Sequence, residues 1–224
     1  CSRSASGGIA LLRCETQDDI VRLPDEIDGV PVTEVGAYVL SERAPDLTGK
    51  DTFAVRITCG GAEPKHNAAA IRTVTLPKDA KSVGSYAFYN CRNLERIELT
   101  DSVSEFGGGA LMNCMSLREV ILHAAPSAPT CLPRLLGEYA GELDVRFDEH
   151  ARLLAERTGN HHPLTLTVAD AGERLVRQFF DTHQCETLRN HVSVQRSQHP
   201  ETAGIGITPG SRHVVTGHQF RTDA

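Results

Sequence analysis

The sequence predicts a β-rich solenoid: coils of about 23 residues, each with one short parallel strand, closed by a helical segment at the C-terminal side. Two columns of repeated residues predict it. In the first, the ladder Leu94, Ile97, Leu99 recurs one period later as Leu117, Val120, Leu122 and one period earlier as Ile71, Val74, Leu76. A weaker copy, Ala140, Leu143, Val145, follows at the same step. In the second column, "VGSYAF" (83–88) aligns with "FGGGAL" (106–111) and with "VGAYVL" (35–40). Composition agrees, since 40% hydrophobic residues are enough to bury a core.

Taken in chain order, the solenoid is expected over 8–147, with an irregular coil at 41–70. The copies at Val35 and Val83 lie about two periods apart, so one distorted coil should stand between them. Its strand would be "FAVRITC" (53–59), followed by the loop "GGAEPKHNAAA". In the regular coils, "LERIELT" alternates: Ile97 and Leu99 point inward, and Arg96, Glu98 and Thr100 point outward. Thr100-Asp101-Ser102 and Pro77-Lys78-Asp79 supply turns after the strands. Gly84 permits a turn where a Cβ would obstruct, and Tyr86 or Phe88 fills the wide part of the core. Gly109 takes the aromatic position one coil later, so that coil should be thinner.

Three Pro between 126 and 133 interrupt the last coil. "FDEHARLLAERTG" then reads as a helical cap over 148–158, with Asp148 placed to cap it, Leu153 and Leu154 as its apolar edge and Gly159 as its stop. Residues 159–224 form a His/Arg-rich tail: seven of ten His lie at or after His161, and all four Lys lie at or before Lys81. One amphipathic helix is expected at 170–184, and the final stretch has no sustained period and reads as loop or disorder. The abrupt change of composition also admits an out-of-frame or recombined extension, which the coding DNA would decide.

The stretch 71–122 resembles the BspA-like leucine-rich repeat family, whose units read as strand, Pro, "V-x-x-I-G-x-x-A-F-x-x-C", then "x-x-L". "IVRLPDEIDGVPVTEVGAYVL" resembles that family's first unit, with "IDGVPVT" as an extended loop. The resemblance covers about residues 8–147. It implies a leucine-rich repeat superhelix of bacterial origin, at the cell surface or secreted, acting in adhesion or partner binding.

A net charge of −6 argues against nucleic acid as partner. No apolar run approaches the roughly 18 residues of a membrane span, so no membrane insertion is expected. No signal peptide is visible, and the chain starts at Cys1, which reads as a fragment or processed form. Cys91 and Cys114 occupy the same slot of successive coils and read as small buried core residues rather than a metal pair or disulfide. Asn90 and Asn113 read as turn residues. His161-His162 and "HQC" (183–185) lack zinc spacing, and "GIGITPG" (204–210) lacks the Lys-Ser/Thr of a phosphate loop. With no G-x-S-x-G or H-E-x-x-H either, no cofactor, no metal and no enzyme activity are expected.

The outward strand positions remain as the candidate partner-binding face: Thr73 and Thr75; Arg96, Glu98 and Thr100; Glu119, Ile121 and His123; Glu142, Asp144 and Arg146. This mixed surface, with Ile121 as an exposed apolar residue, suits a protein or peptide. The reading is a non-enzymatic interaction or adhesion module. The alternatives are a scaffold segment of a larger protein and an accessory repeat domain of an enzyme.

Overall fold

The computed structural model describes residues 1–5, 7–56, 65–100, 102–123, 135–136, 139 and 141–147, together with the strand backbones at 151–157, 164–168, 192–196 and 214–216. The chain divides into two compact units, Cys1–Arg118 and Glu119–Ala224. The fold is that of a β-solenoid of about five turns, with almost no helix among the described residues.

The first unit contains β1 (Ser2–Arg3), β2 (Ile9–Leu11), β3 (Ile20–Arg22), β4 (Glu26–Ile27), β5 (Val30–Val35), β6 (Thr73–Thr75), β7 (Ser82–Val83), β8 (Arg96–Thr100) and β9 (Glu105–Phe106). One parallel sheet carries the ladder, β3 beside β6 beside β8. A second runs β2-β5-β7-β9, with β1 added antiparallel to β2. Each coil crosses from one sheet to the other. Val21, Val74 and Ile97 stack in one inward row, and Leu23, Leu76 and Leu99 in the next, all buried. Val35, Val83 and Phe106 close the core from the opposite sheet. Each such residue contributes roughly 1.5–3 kcal/mol, realised only when the neighbouring coil covers it.

Between the sheets, the segments at 36–40, 84–88 and 107–111 bond one to the next through their main chains: Leu40 N–H donates to Ala87 O, and Phe88 N–H to Ala110 O. The backbones come close enough to exclude a side chain. A Cβ on Gly84 would lie 2.4 Å from Ala37 N, and one on Gly107 2.3 Å from Ser85 N. Gly84 is therefore required by contact between coils rather than by a turn within its own coil. Phe88 fills the core at zero exposure, whereas Tyr86 does not. Tyr38, Tyr86 and Gly109 share one left-handed position, with φ of 59°, 58° and 67°. That geometry leaves the rings half-buried outside the core, Tyr38 stacked on Tyr86 at 5.3 Å between centroids. Gly109 faces the Tyr86 ring, where a Cβ would meet Cε1 at 2.6 Å. Its coil is filled instead by Ala110 and Leu111.

The irregular coil differs from expectation. Ile20, Val21 and Arg22 pair directly with Thr73, Val74 and Thr75, so no ladder strand stands between them. Residues 53–56 of the expected strand "FAVRITC" are not a strand, and 57–59 lie outside the described residues. The gap between Val35 and Val83 is therefore one coil with an insertion, not two coils. "IDGVPVT" is also not an extended loop. It is the β4–β5 hairpin, Ile27 opposite Val30, turned by Asp28 and Gly29, both at positive φ.

The second unit contains β10 (Glu119–His123), β11 (Gly141–Phe147), β12 (Ala151–Arg157), β13 (Leu164–Val168), β14 (Val192–Arg196) and β15 (Val214–Thr216). β10 and β11 are parallel, but Val120 pairs with Val145 and Glu119 with Asp144. Leu143, the expected counterpart of Val120, is displaced, and the step is longer than in the regular coils by one strand repeat. That even change preserves alternation, so Leu143 and Val145 still point inward and are buried. The expected helix at 148–158 is corrected: residues 151–157 are the strand β12, antiparallel to β11 from Gly141↔Arg157 to Phe147↔Ala151. This long pairing outweighs the high intrinsic helical preference of "ARLLAER", because β11 otherwise leaves a row of unpaired amides on that side. The expected helix at 170–184 lies outside the described residues. Three segments of the tail are strands: β13 and β14 pair in parallel, and β14 and β15 antiparallel. β15 falls within the final stretch, where loop was expected.

Candidate partner-binding face

The outward side of the first ladder forms two cross-strand rows. Ile20, Thr73 and Arg96 make one, and Arg22, Thr75 and Glu98 the other. Thr75 Oγ1 donates to Glu98 Oε2 at 3.2 Å, which holds the carboxylate over the sheet. Arg96 is exposed, while Thr73, Thr75 and Glu98 are half-buried. Thr100 belongs to this strand but turns away from a partner: its hydroxyl donates to Lys78 O at 3.0 Å and serves the turn.

Sequence spacing does not assign Ile20 and Arg22 to this face, because it puts the ladder strand before β6 at 53–59. The signal is nonetheless present. "IVRLP" (20–24) and "TVTLP" (73–77) share the spacing of Val, Leu and Pro. Ile20 is 60% exposed, the largest apolar exposure on the first unit's ladder strands.

In the second unit, Glu119 and Ile121 lie opposite Asp144 and Arg146. Arg146 Nη2 is 3.0 Å from Glu119 Oε1 and 3.4 Å from Asp144 Oδ2. Ile121 is half-buried in this unit, not the exposed anchor expected, and His123 is exposed. Glu142 is exposed but precedes the paired part of the β10–β11 register.

Beside the first face runs an ionic row at the coil entries. Glu95 lies 2.7 Å from Arg72 and 3.7 Å from Arg118, its counterparts one coil before and one coil after. At the opposite corner, Asn113 Nδ2 donates to Asn90 Oδ1 at 2.7 Å, and Asn90 Nδ2 to Glu42 Oε2 at 2.9 Å. Both Asn are left-handed at φ 64°, which their side chains tolerate better than most. They build turns and link coils.

Cys91 and Cys114 are free and buried. Each donates its thiol to a carbonyl of the preceding coil, Leu40 O at 3.3 Å and Phe88 O at 3.2 Å. Burial pushes both thiols up, that of Cys114 to about 12. A thiol held protonated and covered is a poor nucleophile and a poor ligand. Among the described residues, no group of three or more His, Cys, Asp or Glu is arranged to hold a metal ion. Nor, among them, is any helix long and apolar enough to cross a membrane.

Comparison with known proteins agrees with this geometry. The family model described as BspA type leucine rich repeat region matches residues 66–128 in six copies. No curated protein and no solved structure matches the chain.

Proposed function

From the premise that residues 66–128 are a BspA-type leucine-rich repeat region, we propose that this protein is a non-enzymatic interaction module. It binds a protein or peptide through the outward face of its ladder strands, as adhesion requires. The observation that carries the reading is the composition of the first unit's two rows. They set exposed Ile20, on the terminal strand, beside Thr73, Thr75, Arg96 and Glu98, so that one apolar residue borders hydrogen-bonding groups of both charges. That mixture of apolar and polar contact suits a protein interface. Repeat modules of this type commonly mediate protein interactions. The paired outward residues of the second unit, Glu119, Ile121, Asp144 and Arg146, with His123 and Glu142 beside them, form a second candidate patch of similar chemistry.

The test is capture by the immobilised full chain. Proteins retained by the wild type should be lost from Arg96→Glu/Glu98→Lys, with the circular dichroism melt unchanged. Retention of the same protein at undiminished affinity by that variant removes the first face as the binding surface.

A further inference from the structure

We propose that the outer edge of β3 is a docking edge for a basic, extended peptide, which adds to the ladder sheet as one further strand. The hydrogen-bond pattern comes first. Thr73 N–H donates to Asp19 O, and Leu23 N–H donates to Thr75 O. In a strand, the N–H and C=O of alternate residues point to the same side. Asp19, Val21 and Leu23 therefore direct their main chain to β6, and Ile20 and Arg22 direct theirs to the opposite side. β3 is the terminal strand of its sheet, so among the described residues two donors and two acceptors there face no further strand of that sheet.

The neighbouring sheet shows the contrast. Its corresponding end is closed by β1, which pairs antiparallel with β2 through Ser2↔Ala10. Open edges in native proteins are blunted by short length, by charged side chains, above all Lys, by Pro or by a cover. β3 is three residues long and carries Arg22, but it has neither Lys nor Pro, and it exposes Ile20. It keeps the features of an edge that accepts a strand.

Charge decides the occupant. Between residues 15 and 28 stand six acids, Glu15, Asp18, Asp19, Asp25, Glu26 and Asp28, against one cation, Arg22. All six acids are exposed. A second copy docked edge to edge would bring two such collars together, at a repulsive cost. A strand carrying Lys or Arg on either side of an apolar residue satisfies both the collar and Ile20. The proposal does not rest on the strand-face reading. It uses the main chain of β3, whereas that reading uses side chains across β3, β6 and β8, and the two share only the Ile20 side chain.

The experiment uses the full chain and the probe peptide Lys-Val-Lys-Val-Lys-Val-Lys. Binding should slow amide exchange at Ile20 and Arg22. The same peptide N-methylated at every residue should bind at least about tenfold more weakly, since the main-chain donors of both its edges are removed. The Glu-Val analogue should not bind. Ile20→Pro removes one outward donor without touching a bond to β6 and should abolish binding. Asp19→Lys/Glu26→Lys, which leaves the β3 amides in place, should weaken it. Arg96→Glu/Glu98→Lys should leave it unchanged, which separates this edge from the strand face. The proposal is overturned if the N-methylated peptide binds equally, if Ile20 and Arg22 gain no protection, or if the chain alone self-associates with those two amides already protected.

Discussion

The coils over 71–118 and the coil over 20–70 belong to the same unit and share the same ladder, yet they are held together differently. The regular coils are stacked side chain on side chain and backbone on backbone at a constant step. Every position has a counterpart: Val74 and Ile97, Ala87 and Ala110, Asn90 and Asn113, Cys91 and Cys114. The coil over 20–70 keeps its ladder strand and its "VGAYVL" segment, but an insertion separates that segment from β6. Repetition does not hold the insertion in place. Specific polar bonds do, at its neck and where Phe53 and Cys1 exchange two main-chain bonds. Arg13 donates to the carbonyls of Tyr38, Ser41 and Arg43, and the His66 ring is 3.1 Å from Leu40 O. A solenoid therefore tolerates an insertion wherever the chain leaves and re-enters the stack at the same corner.

Substituting glycines in the two regions should separate these modes most widely. Gly84→Ala places a methyl against Ala37 N at 2.4 Å, a backbone contact that cannot rotate away. A loss of about 3 kcal/mol is expected from overpacking of this kind. Gly49, in the insertion at φ +72°, has nothing within 4 Å of where a methyl would stand. Gly49→Ala should cost only the left-handed backbone penalty, about 1 kcal/mol. Urea unfolding of the two variants measures the difference. Equal losses would mean that coil contact does not dominate the regular region.

The two regions also differ in how plainly their sequence declares them. The inward ladder and the Cys pair are legible, because a constant step repeats both identity and burial. The left-handed position becomes legible only when the coils are aligned. Gly109 in line with Tyr38 and Tyr86 signals positive φ, whereas an aromatic residue in isolation suggests core. β3 is hidden because the gap from Val35 to Val83 happens to be close to two periods, so spacing alone favours an extra coil over an insertion. β12 is hidden for a different reason. Its helical pattern is local, while the pairing with β11 that decides its conformation is not. Of the candidate face, β6, β8, β10 and β11 can be assigned from alternation. The lengthening before β11 leaves no mark on that alternation, and Thr100 gives no sign that its hydroxyl serves Lys78 O.

A second way to sharpen the comparison is to remove the polar neck. Arg13→Met keeps much of the stem and deletes bonds to the carbonyls of Ser41 at 2.7 Å, Tyr38 at 3.2 Å and Arg43 at 3.3 Å. Bonds from a charged donor support a loss of about 2 kcal/mol. The loss should be local. Hydrogen exchange should quicken at residues 38–56 while Ile97, Leu99 and Phe88 keep their protection. Uniform acceleration across the unit would show that the neck and the regular stack unfold together.

The smallest effect concerns His66 and carries a pH signature. Burial, followed by the Arg13 guanidinium, holds this imidazole below its ordinary value of 6.5, against the opposing influence of the Leu40 and Ser41 carbonyls and Glu15. The neutral ring suits the site, since one nitrogen can donate to Leu40 O while a second proton would be buried beside Arg13. A histidine whose value is lowered on folding binds fewer protons folded than unfolded. Its contribution is complete above 6.5 and is lost as pH falls through 6.5 toward the lower folded value. Acidification should therefore loosen the insertion before the regular coils. Amide exchange at residues 42–56, corrected for intrinsic rates, should be faster at the acid end of that window than above it. His66→Gln retains a side-chain donor without a titrating proton, so it should abolish the pH difference while preserving the bond to Leu40. If the variant loosens with acid as the wild type does, another group governs the neck, and the insertion's response to pH has been assigned to the wrong residue.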